Sequence, residues 1–328
     1  MISVANPVLE RELKERMRSR RASIILVIYL ALLAAILYVS YRGGLVFIRE
    51  SLAFGSEIFS AATLGRLMYD WLLFFVVLFI AFVAPGISAG AIVSERERQT
   101  LHLLQVTMLR GPSIVLGKLG ASLSFVALLV VATAPLFVVP LLLGGVTPWQ
   151  VARSFVVMGA LMLALASMGL YMSSVARRVQ FATVAAYALA FFLVVGTLIL
   201  FGVEQIWRST QEPNQSLPQG SKTIYLSPLA ALSDAAVGTV GTAEVPSPIY
   251  GGAILVNEAT RPQLGGERMR NGPLVGVAAD ERQPLIRLWM INTVLLLGLS
   301  ALCLYGSARR LRVPAERFLE PKRRKGAK

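Results

Sequence analysis

The stretch IVSERERQTLHLLQVTMLRGPSIVLGK, Ile92–Lys118, places four consecutive charges, Glu95, Arg96, Glu97 and Arg98, between two long apolar runs. Only 15% of the 328 residues are charged, while 55% are hydrophobic. Charge is excluded from six windows: 22–41, 71–94, 119–152, 154–176, 179–203 and 288–308. Each can cross a hydrocarbon layer about 30 Å thick, which takes roughly 20 helical residues. Backbone groups in lipid must be bonded within the segment, and the alternating pattern of a barrel is absent, so helices are the reading. The fold class is all-α: a polytopic membrane protein with six transmembrane helices.

Lysine and arginine set the expected orientation. They crowd the segment before the first window, the Arg177-Arg178 turn after the fourth, and the tail from Arg309 onward. Positive residues stay cytoplasmic, so both termini are expected inside and the protein in the inner (plasma) membrane as a multi-pass chain. The uncharged loop GGVTPWQ (144–150) and the segment 204–284, with more acids than bases, fall outside. Trp71, Trp149, Trp207 and Trp289 then all fall at the outer interface, where indole prefers to sit. The net charge of +14 belongs to membrane ends without interleaved aromatics. It points to anionic membrane lipids rather than nucleic acid. The first window fills a whole span and lacks a small-x-small cleavage site, so it reads as a retained anchor. One cysteine, Cys303, allows no internal disulfide.

Between the second and third windows, Ser94 with Glu97 three residues on has the pattern of a capping box. Leu101, Leu104 and Met108 follow at helical spacing, and Gly111-Pro112 stops the helix. A short amphipathic cytoplasmic helix is expected over 94–110. NPVLERELKERMRSRR (6–21) is a second one: Asn6 can cap, Pro7 suits the first helical position, and Glu10–Lys14 and Glu12–Arg16 are supporting pairs. The expected organisation is a cytoplasmic helix within 1–23, spans one to five within 24–203, an extracytoplasmic segment 204–284, a sixth span within 285–308 and a basic tail, 309–328. In 222–243, Ser227-Pro228 marks a helix start, while 244–284 reads as exposed loop. GISAG (86–90) is a small-xxx-small face for close helix contact, and Pro85, Pro135 and Pro140 suggest kinks.

These segments resemble the permease subunits of type-2 ABC exporters. The opening NPVLERELKERMRSRR is similar, and so is ERERQTLHLLQVTMLRGPSIVLGK (95–118), where the family shows glutamates, TLE, LL, TP and a final GK. Glu95, Glu97, Thr100, Leu101, Leu104, Thr107, Gly117 and Lys118 match; His102 stands where an acid is common and Met108 where proline is common. YLSPLAAL (225–232) also resembles the family. The resemblance implies an export permease working as a dimer with a second permease chain, homo- or heterodimeric. A separate cytosolic ABC ATPase subunit would bind ATP, leaving this chain without cofactor, metal or catalytic residues. The ATPase would dock on a coupling helix at 94–110 through Glu95, Glu97, Thr100, Leu101, Leu104 and Thr107, beside Glu10, Glu12 and Arg16 of the N-terminal helix. Gly117 and Lys118 would form the loop-to-helix junction, and 222–243 would form re-entrant helices over the exit.

Other chemistries find little footing. GPSIVLGKL (111–119) has neither the spacing nor the Ser or Thr after lysine of a phosphate-binding loop. The lone His102 supports no HExxH motif and no Ser–His–Asp set. A secondary transporter needs ionisable residues at the bilayer midplane, and the spans are free of them except near their ends, where Lys118, Arg153 and Arg287 can snorkel. That class, and a non-transporting scaffold subunit of the same topology, are the alternatives.

Overall fold

The computed structural model describes residues 20–53, 61–99, 111–211, 223–236 and 288–310, and no strand occurs among them. The helices are α1 (Arg20–Ala53), α2 (Ala61–Ala89), α3 (Val93–Glu97), α4 (Gly111–Ala132), α5 (Ala134–Leu142), α6 (Pro148–Val175), α7 (Val179–Phe191), α8 (Thr197–Gln211), α9 (Pro228–Ala236) and α10 (Leu288–Arg310). A π-helical turn, Phe192–Gly196, joins α7 to α8, and a 3-10 turn, Thr223–Leu226, precedes α9. Six stretches are long and apolar enough to cross a bilayer: α1, α2 with α3, α4 with α5, α6, α7 with α8, and α10.

The window 119–152 contains a turn that charge alone does not reveal. Gly144 has φ +82°, a conformation that glycine adopts at little cost. Thr147 then caps α6: its hydroxyl accepts from the Gln150 N–H, while the Gln150 side chain accepts from the Thr147 N–H. The same span breaks once more at Thr133, because Pro135 in the first turn of α5 has no N–H to give. Thr133 Oγ1 donates to Val130 O at 2.6 Å, closing the end of α4.

α6 is the central helix, packed against α2, α4, α7, α9 and α10. Val157, Leu161, Ala164 and Leu165 on α6 share one core with Leu72, Leu73, Val76 and Ile80 on α2. Lipid tails are as apolar as leucine, so association rests on close packing rather than on water exclusion. Gly169 shows how close: a Cβ there would lie 2.0 Å from Ser88 Oγ and 3.2 Å from Pro85 O. Only part of GISAG serves as expected. Gly86 faces the Tyr187 hydroxyl of α7, 2.5 Å from where a Cβ would be, but Gly90 has nothing within 4 Å. Gly86 meets α7 and Ser88 meets α6, so the close contacts fall on two different sides of α2.

α1 is antiparallel to α2, with Tyr29 against Phe79 and Gly44 against Leu64. The Arg310 guanidinium lies 5.9 Å from the Tyr171 ring centroid, which sets the end of α10 beside the end of α6. Arg20, α3, the α6–α7 turn and Arg310 therefore gather at one end of the bundle. Trp149 and Trp289 open α6 and α10 at the other end, and Trp207 lies near the end of α8. Trp71 joins them although α2 begins at Ala61: its near neighbour Tyr69 bonds Ser154 in the second turn of α6.

Candidate functional site: the charged connector

Past Ala89 the chain makes one turn and enters the five-residue helix α3. Its backbone is fixed from outside. The N–H groups of Ile92 and Val93 both donate to Ser173 Oγ on α6, at 2.9 and 3.0 Å. One hydroxyl oxygen has two lone pairs and can accept both.

The alternating charges follow from what they touch. The last carbonyls of α6 have no partner within their helix. Arg96 reaches them, Nη1 donating to Ala176 O at 2.8 Å and Nη2 to Ser174 O at 3.2 Å. A cation at a helix C-terminus is also favoured by the helix dipole. Glu97 performs the converse task one turn later: its Oε1 accepts from the Val179 N–H, the first of α7, at 2.8 Å. Adjacent residues of opposite sign thus bracket the α6–α7 turn, the cation on a C-terminus and the anion on an N-terminus.

Glu95 turns to a third helix. Its Oε1 accepts from Lys118 Nζ of α4 at 2.6 Å, and Nζ also donates to Ala91 O at 2.8 Å. Lys118 is 2% exposed, so the lysine expected to snorkel points inward instead. Removing an ammonium from water costs several kcal/mol unless a counter-charge and hydrogen bonds replace the solvent, and the connector supplies both. Gly117, which precedes Lys118 in the final GK, is buried as well.

Two local expectations are corrected. Ser94 and Glu97 form no capping box: Ile92 holds the N-cap position without a side-chain cap, and Glu97 is engaged with α7. The helix expected from Ser94 ends at Glu97, since Gln99 adopts φ 58° and redirects the chain. That left-handed conformation costs a non-glycine residue roughly 1–2 kcal/mol. Thr100, Leu101, Leu104 and Thr107, and Glu10, Glu12 and Arg16 of the N-terminal segment, lie outside the described residues. Ser173, Ser174, Ala176 and Val179 complete the connector, and nothing in their own sequence marks them.

Polar contacts at the opposite end are separate. Tyr69 and Ser154 share a hydrogen bond of 2.7 Å, beside the Arg66–Asp70 pair of α2. Asp234 of α9 accepts from the Trp289 N–H at 3.0 Å, and Asn292 donates to Tyr225 O at 2.8 Å, so 223–236 is fastened to the start of α10.

Six apolar spans, α6 central among them, with a charged connector keyed into three, define a multi-pass membrane protein. A family model described as ABC-2 family transporter protein matches residues 6–255, so the chain belongs to the ABC-2 family and is a membrane permease of that type. A search of curated proteins returned no match.

Proposed function

We propose that this chain is the membrane-spanning permease of an ATP-driven exporter, coupled to a separate cytosolic ATPase subunit and completed by a second permease chain. The observation that carries the reading is the connector: α3 is bonded to α4 through Glu95, to α6 through Ser173 and Arg96, and to α7 through Glu97. A displacement of the chain beyond Gln99 reaches three spans through side-chain bonds, not through slack loop backbone. A helix that merely rested on lipid would need no such keying. Glu95 and Glu97 are thereby given transmission, and recognition of the ATPase falls to Thr100, Leu101, Leu104 and Thr107, with Glu10, Glu12 and Arg16 alongside. ATP belongs to the partner, and this chain needs no cofactor.

In the assembled complex, Glu97→Lys should leave ATP hydrolysis running and cut transport about tenfold, because it removes the α7 cap and sets a cation at a helix N-terminus. Glu97→Gln keeps an acceptor oxygen and should transport nearly as wild type. Coupled transport at the wild-type rate in Glu97→Lys would show that the connector does not transmit.

The connector end is the cytosolic end in this reading. With Cys303 replaced by alanine, Ser216→Cys should react with a membrane-impermeant maleimide in intact cells, and Gly326→Cys only after permeabilisation. The reverse pattern inverts the topology and excludes a cytosolic ATPase at the connector.

A further inference from the structure

Among the described residues, the connector end exposes charge of nearly one sign. Glu95 is paired with Lys118, and among the described residues at this end Glu97 is the one exposed acid, held at the Val179 N–H. Arg177, Arg178, Arg309 and Arg310 are all exposed. One arginine of each pair stands above an apolar strip that is exposed too. On α10, Leu302 and Tyr305 precede Arg309 by seven and four residues, which puts all three on one helix face. On α7, Phe181 and Val184 follow Arg178, the N-cap residue, by three and six residues. Arg310 is drawn toward α6 by its position over Tyr171.

An arginine set one turn beyond a lipid-facing strip matches the layout of a phospholipid. Acyl chains would lie along Phe181–Val184 or Leu302–Tyr305, and the net negative charge of the headgroup would face the arginines. An acidic soluble protein would meet the arginines but leave the strips, which run along the spans, uncovered. We propose that the α6–α7 turn and the end of α10 bind anionic phospholipid headgroups and seat the connector end against one leaflet. This holds whether or not the connector couples to an ATPase.

The test is local. The full-length chain carries photoreactive benzoylphenylalanine in place of Phe181, in nanodiscs of equal parts phosphatidylcholine and phosphatidylglycerol, and crosslinked lipids are identified by mass. Anionic adducts should exceed zwitterionic ones about fivefold. The ratio should fall to about one in Arg177→Gln/Arg178→Gln and be retained in Arg177→Lys/Arg178→Lys, which keeps the charge. A probe at Tyr305 should respond in the same way to Arg309→Gln. A probe at Leu142, exposed at the far end of α5, should show no preference. Equal adducts at Phe181, a preference that survives the glutamines, or the same preference at Leu142 would each overturn the site.

Discussion

Glu95→Ala should destabilise the folded chain by about 3 kcal/mol, the lower end of what breaking a buried ion pair costs. Alanine takes the Glu95 carboxylate away from the almost wholly buried Lys118 ammonium, which keeps its bond to the Ala91 carbonyl. The figure belongs at the lower end because Glu95 itself is 23% exposed, and water can enter where its carboxylate was. A double replacement, Glu95→Gln with Lys118→Met, removes both charges at similar volume and should recover most of the loss, since a buried pair is often no better than well-packed neutral groups. Unfolding in detergent micelles, followed for wild type, Glu95→Gln, Lys118→Met and the double, gives the cycle, with Glu95→Ala measured beside it. A Glu95→Ala variant within about 1 kcal/mol of wild type would mean that the pair is solvated and worth no more than a surface bridge.

Gly145→Ala should be strongly damaging. Its Cβ would lie 2.1 Å from Ala62 O and 2.5 Å from Arg66 N, both backbone atoms at the start of α2. No rotamer change relieves such a contact, so the α5–α6 turn must lift away from α2. The expected cost is about 3 kcal/mol, the upper part of the usual range for overpacking. The lift would also stretch the Tyr69–Ser154 bond that joins the same two helices. Gly159→Ala in α6 is the control, with nothing within 4 Å of its Cβ position, and it should stabilise by up to about 1 kcal/mol through helix propensity alone. Equal melting temperatures for the two variants would contradict the close approach of the turn to α2.

Which residues span the membrane was legible in the chain, because exclusion of charge over some twenty residues is a property of composition that lipid enforces at every position. Part of the turn chemistry was legible too: GGVTPWQ read as a loop and Pro135 as a kink, and both act on their own backbone, so their effect is local. The motif Glu95-Arg96-Glu97 with Lys118 could be singled out, but its partners could not. Ser173, Ala176 and Val179 lie roughly eighty residues further on, and only the folding of α2 against α6 and α7 brings them to α3. Read alone, four charges beside a membrane suggest a solvated face, and a lysine at a span end suggests snorkelling. The tertiary structure buries the lysine and gives three of the four charges partners, while Glu97 and Arg98 stay exposed, because helix termini and a buried ammonium demand partners that the local sequence does not supply. Composition and turn chemistry determined the spans; the directions in which Glu95, Arg96, Glu97 and Lys118 point were decided by which helix ends the bundle sets beside them.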